Sequence, residues 1–274
     1  MRSIQLVLVA VAALIWPAMS RADQAIDALV DALRIGEVVQ VMRAEGLEYG
    51  SDIAAEMFPD RAGGAWPILV DRIYAADTLE QAVRTQLAIE LDNVDVAPLT
   101  AFFASPEGQE ITELEIVARR ALLQPEVEQA AAEAARKLNE TDPELDSLLH
   151  DFIAVNDLVE ANVVGALNAS YAFYTGLAEG DAFEGTLTQE QILTDVWSQE
   201  DDIRSETTEW LLTYLALAYG PMDRSGLAEY VELSETPEGQ ALNRALFSAY
   251  DKMYVSISRQ LGMGAAQFLA GQDL

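Results

Sequence analysis

Two segments of this chain carry the same helix start, and that repetition constrains the fold more than any other feature. Phe102-Phe103-Ala104-Ser105-Pro106-Glu107-Gly108-Gln109 returns as Leu233-Ser234-Glu235-Thr236-Pro237-Glu238-Gly239-Gln240. Ser105 and Thr236 sit where an N-cap oxygen accepts a bond from an orphan backbone N–H of the first turn. Pro106 and Pro237 follow at the first helical position, where a missing N–H costs nothing. Glu107 and Glu238 set negative charge against the positive end of the helix dipole. Gly108 and Gly239 cost roughly 1 kcal/mol relative to alanine within a helix. Close packing of another helix explains them; an anion-binding helix start is the rival reading. The neighbouring carboxylate opposes the rival, because it repels an anion.

An amphipathic helix follows each joint. Ile111, Leu114, Ala118 and Leu122 share one stripe, and Leu242, Ala245, Ala249 and Met253 hold the same relative positions. The expected class is all-α: a helical bundle of two related helical repeats after an N-terminal signal peptide. No run shows strand alternation or a hairpin turn signal. The expected organisation is a signal peptide at 1–22, a first unit at 23–140 and a second at 141–274.

The leader reading rests on Arg2, the apolar run Ile4 to Trp16, and small residues Ser20 and Ala22 at the spacing of a cleavage site. Cleavage is expected after Ala22, which predicts a periplasmic protein. An uncleaved anchor is the alternative, but the run falls short of the ~20 residues that a span requires. The chain has no cysteine, so neither a disulfide nor a lipid-modified cysteine enters. Its net charge of −30 becomes −32 without residues 1–22, which hold two arginines and no acid. Such a surface repels nucleic acid and anionic headgroups. Acid excess with only Lys137 and Lys252 as lysines also predicts salt-dependent stability.

Residues 23–58 read as helical, with Gly36 as an interruption. Trp66-Pro67 opens a short helix, and Asp77 with Glu80 resembles a capping box. Asn139 to Pro143 is the break between units. Asp157 to Ala169 matches Glu37 to Tyr49 at an offset of 120, and Trp66 with Trp197 at 131. The eleven extra residues are placed between Gly176 and Thr188. Trp210 to Tyr219 reads as a buried helix, and Gly262-Met263-Gly264 as the end of the last one.

The aromatic pair running into Ser105-Pro106-Glu107-Gly108 resembles a bacterial family of exported helical proteins defined by domain of unknown function 2059. The second copy departs from that pattern, with Leu233-Ser234 for the aromatic pair and Thr236 for serine. The resemblance implies export and an all-helical fold, and it carries no catalytic residue.

Most site chemistry is excluded by composition. The only histidine is His150, and no Gly-x-Ser-x-Gly elbow exists; His150 reads as a partly buried side chain beside a carboxylate. Gly262-x-Gly264 is no dinucleotide loop. Glu200-Asp201-Asp202, and Asp92 with Asp95, read as solvated charge without the spacing of a calcium loop. No cofactor, metal, nucleic acid partner or transmembrane span of the mature chain is expected. The function expected is non-enzymatic binding of an envelope protein or small apolar ligand, in a groove bordered by Phe102, Phe103, Trp66, Trp197, Tyr230, Tyr250 and Tyr254. The alternative is an acid-dependent hydrolase with paired carboxylates, Glu107 and Glu238 first.

Overall fold

Both joints are helix starts in three dimensions, and each is built from the same contacts. The computed structural model describes residues 21–61, 63–182 and 188–271, so the signal-peptide reading falls almost wholly outside the described residues. The described chain is all helical: α1 (Arg21–Ala32), α2 (Ile35–Met57), α3 (Ala65–Ile73), α4 (Ala76–Glu90), α5 (Ala97–Phe103), α6 (Pro106–Ala121), α7 (Pro125–Ala135), α8 (Leu138–Thr141), α9 (Pro143–Val155), α10 (Leu158–Glu179), α11 (Gln189–Trp197), α12 (Glu200–Tyr219), α13 (Arg224–Glu235) and α14 (Pro237–Leu269). None of these is long and apolar enough to cross a membrane.

Ser105 Oγ accepts from Gly108 N at 3.1 Å to start α6, and Thr236 Oγ1 accepts from Gly239 N at 3.0 Å to start α14. The glycines are required by close approach. A Cβ on Gly108 would lie 2.2 Å from the Phe102 carbonyl oxygen, and one on Gly239 2.0 Å from that of Leu233. The neighbour is therefore the preceding helix of the same joint. Gln109 Nε2 then donates to the carbonyls of Phe103 and Ala32, at 2.6 and 2.8 Å. Gln240 Nε2 donates to those of Ser234 and Val155, both at 2.7 Å. Each glutamine thus ties its joint to the end of a remote helix, α1 or α9.

Those remote ends match as well. Arg34 (φ 54°) turns α1 into α2, and Asp157 (φ 50°) turns α9 into α10, both in the left-handed region. Their separation is 123 residues, so the pairing differs by three from the offset of 120 read off Asp157 to Ala169. Residues 23–58 form two helices, split at this turn rather than at Gly36. Asp142 caps α9 by accepting from Leu145 N at 3.0 Å. Thr188 and Gln191 make the full capping box of α11. The box expected at Asp77 does not form: α4 starts at Ala76 without a side-chain cap, and Glu80 instead accepts from Arg84.

The last helix does not stop at Gly262. α14 runs through Gly262 and Gly264 to Leu269, because the glycines serve a helix crossing. A Cβ on Gly262 would lie 2.1 Å from Phe173 O, and one on Gly176 2.2 Å from Arg259 O. α10 and α14 therefore touch backbone to backbone. Buried residues of α14, from Leu242 to Phe268, complete one core with Leu29, Val39, Trp66, Leu87 and Leu99 of α1–α5. Ile111 and Ala118 of α6 complete a second with Leu149, Leu215, Tyr219 and Leu227. So α14 packs on α4, and α6 packs on α12.

Candidate functional site

Where α6 crosses the second core, an apolar-lined cavity of about 540 Å³ remains between α6, α9, α10, α12, α13 and α14. Its existence follows from small residues at helical spacing. Ala161, Gly165 and Ala169 stand four apart on α10 and line the cavity. A Cβ on Gly165 would meet nothing within 4 Å. The position 123 residues earlier holds Met42, which is 2 % exposed in the first core.

The other walls supply aromatic rings and one polar patch. Tyr230 is the hub: its ring lies 4.9 Å from Phe152, 5.9 Å from Phe102 and Phe103, and 6.3 Å from Tyr219. At a more exposed edge, Trp210 stacks on Tyr214 at 5.1 Å. α6 delivers Glu115 and Arg119 to the same face, four residues apart. Tyr219 donates its hydroxyl to Glu115 Oε1 at 2.5 Å, and Tyr214 donates to the Glu115 carbonyl at 3.4 Å. Arg119 grips Glu45 of α2 through Nε and Nη2, at 2.7 and 2.8 Å. Its Nη2 also lies 3.5 Å from Tyr254 Oη.

Electrostatics distinguishes the two side chains of α6. Burial pushes the Glu115 carboxyl up to about 7; bonds from Tyr219 and Tyr230 pull it back only in part. Among the described residues no arginine or lysine pairs with it. Burial opposes the Arg119 charge too, but Tyr254 and Glu45 outweigh it and hold the guanidinium above its ordinary value. Burial also raises Tyr214, Tyr219 and Tyr230 well above the usual phenol range. Near neutral pH the cavity therefore contains neutral hydroxyls, a charged arginine paired with Glu45, the Asp251 carboxyl group, and Glu115, whose titration burial moves into this range.

Of the aromatics expected at a groove, Phe103, Tyr230, Tyr250 and Tyr254 line the cavity, and Phe102 packs behind Tyr230. Trp66 and Trp197 do not. Trp66 is buried between Phe58 and Phe268 and donates to Gly50 O at 2.7 Å. Trp197 ends α11 and is 52 % exposed. The equal spacing of the two tryptophans therefore gives them no equal place. Of the two joints, Phe103, Leu233, Ser234 and Gly239 reach the cavity; Ser105, Pro106, Glu107, Gly108, Thr236, Pro237 and Glu238 stay at the helix starts. His150 is exposed rather than partly buried, with Nδ1 2.8 Å from Asp146 O. Asp95 accepts from Ala97 N at 3.1 Å, and Glu200 pairs with Arg204 at 2.9 Å.

Sequence reading missed Glu115, Arg119, Gly165, Tyr214 and Tyr219. Glu115 and Arg119 look like an ordinary solvated pair on a helix face. One usable signal was present: seven of the nine tyrosines lie after residue 140.

Residues 77–137, from α4 to just past α7, match the model of a family described as uncharacterized protein conserved in bacteria (DUF2059). That is the family to which the Ser-Pro-x-Gly pattern pointed, and the matched segment holds Glu115 and Arg119. Comparison with curated proteins and with solved structures gives no match.

Proposed function

We propose that this protein is an exported, periplasmic, non-enzymatic binding protein that takes a small, largely apolar ligand into the cavity beneath α10. The observation that carries the reading is the unfilled space at Gly165, in a cavity whose volume lies within the roughly 300–1,000 Å³ typical of ligand sites. Aromatic walls with few polar groups match the usual make-up of such sites. The test is native mass spectrometry of residues 23–274 purified from a bacterial periplasm, with decanol titration of ligand-free protein. Retained mass or saturable decanol binding, lost in Gly165→Leu, is the expected result. Decanol binding that Gly165→Leu leaves intact defeats the reading, as does a bare chain that binds no decanol.

A duplicated architecture is part of the proposal. It is supported by the paired joints, the paired left-handed turns at Arg34 and Asp157, and the reciprocal packing of α14 on α4 and α6 on α12. Glu115 also favours a second reading, an acid-dependent hydrolase, since a general acid needs a raised pKa. That reading predicts a hydrolytic activity which Glu115→Gln removes; a screen in which both proteins are equally inactive eliminates it.

A further inference from the structure

We infer that the cavity is built for an amphiphilic organic cation, an alkyl or aryl ammonium, whose charge pairs with Glu115 while its apolar body fills the space against α10. This rests on the reading of the cavity as a ligand site and adds the chemical class of the ligand.

Three observations carry it. The first is charge balance. Among the described residues Arg119 is the one cationic side chain lining the cavity, and Glu45 engages it through two bonds. Among the described residues Glu115 has no such partner; its carboxyl accepts from the Tyr219 hydroxyl, with Tyr230 close by. A partly buried carboxylate without a counter-ion is still costly, and a cation supplied by the ligand reduces that cost. Asp251 adds a second carboxylate, which accepts from the neutral Asn168 at 2.9 Å.

The second observation is the wall around the carboxyl. The rings of Phe103, Phe152, Tyr219 and Tyr230 pack on one another and face the cavity. Ring faces carry negative electrostatic potential and attract ammonium groups, more strongly when water is excluded. The third is the field of the whole chain. A net charge of −30 concentrates cations and repels anions at every opening of the fold. A carboxylate ligand would meet that field, an ionisable Glu115, and an arginine already committed to Glu45.

The groups facing Glu115 set the pH dependence. They are Tyr214 and Tyr219 on α12, Tyr230 on α13, Tyr250 and Tyr254 on α14, and Arg119 on α6 with Glu45 of α2 behind it. The tyrosines are all pushed above their ordinary range and stay neutral, and Arg119 stays charged. Glu115, at about 7, is the member that changes charge near neutrality. A cation favours its ionised form, so binding below that pH releases a proton, and affinity rises with pH until Glu115 is fully ionised.

The experiment is calorimetric titration of residues 23–274 with decyltrimethylammonium, decanol and decanoate, at about pH 5.5 and about pH 8, a range spanning the Glu115 titration. The cation is expected to bind at least about ten-fold tighter at the higher pH, the effect of one pK unit or more of linkage. At the lower pH its binding should release a proton, read as a dependence of heat on buffer. Decanol should bind alike at both. Glu115→Gln should lose the pH step, and the proton release tests the same point without a variant. Decanoate binding tightest, or a cation affinity unchanged with pH in protein that binds decanol, overturns this inference and leaves the cavity reading standing. Absence of decanol binding removes both.

Discussion

At the scale of single residues, Glu115 makes stability depend on pH in an unusual direction. Its carboxyl titrates near 4.5 when free and about 7 in the fold. Between those values the native state binds more protons than the unfolded state, so stability falls as pH rises through that window, then levels off. The full span is at most on the order of 3 kcal/mol. Thermal melts from about pH 4.5 to about pH 7.5 should show this fall, and Glu115→Gln should flatten it. The carboxylates of Glu37 and Asp142, lowered by hydrogen bonds and arginine neighbours, contribute stability that is lost only in stronger acid. Gly108 and Gly239 are held by sterics instead. Alanine at either would drive a methyl group into a backbone carbonyl, and about 1–3 kcal/mol should be lost in denaturant unfolding, the usual cost of overpacking. An unchanged midpoint for both variants would remove the close-approach account of the joint.

At the scale of elements, the same substitution should act in opposite directions on two crossing helices. Gly165 faces open space in the middle of α10, so Gly165→Ala should stabilise by up to about 1 kcal/mol through helix propensity. Gly262 touches the α10 backbone, so Gly262→Ala should destabilise by about 1–3 kcal/mol as the helices are wedged apart. Paired urea titrations check both signs. The crossing also explains why a glycine pair that reads as a helix end lies inside α14. Glycine costs a helix about 1 kcal/mol, and the contact with α10 outweighs that cost. Caps were more legible than crossings, because a cap is written in adjacent residues: Ser105, Thr188 and Thr236 accept the bond that their positions predict, although the box read at Asp77 does not form. The left-handed turns at Arg34 and Asp157 carried no glycine and so gave no signal.

At the scale of the molecule, each core takes a helix from a distant part of the sequence. α14 fills the core of α1–α5, and α6 closes the core that holds α9, α12 and α13. A fragment of residues 23–140 should therefore lack a cooperative melt, and mixing it with residues 141–274 should restore one. Independent melting of the first fragment would contradict the dependence of its core on α14. The charge of −30 acts on the whole as well, since like charges oppose compaction until salt screens them. The melting temperature should rise between low and molar salt, and a flat response would exclude a role for self-repulsion. Local chemistry determined what belongs to the sequence alone: the all-α class, the two capped joints, the break at Asp142 and the strongly anionic surface. Each depends on residues within a turn or two of one another, or on summed charge. The tertiary structure alone decided that Trp197 is exposed while Trp66 is core, that α14 joins the core of α1–α5 and α6 that of α9, α12 and α13, and that Glu115 lines an aromatic cavity with no cation paired to it among the described residues. The reason is distance: the walls of that cavity come from helices spread between α2 and α14, and only their packing places an ordinary surface-like glutamate, half-buried, among aromatic rings.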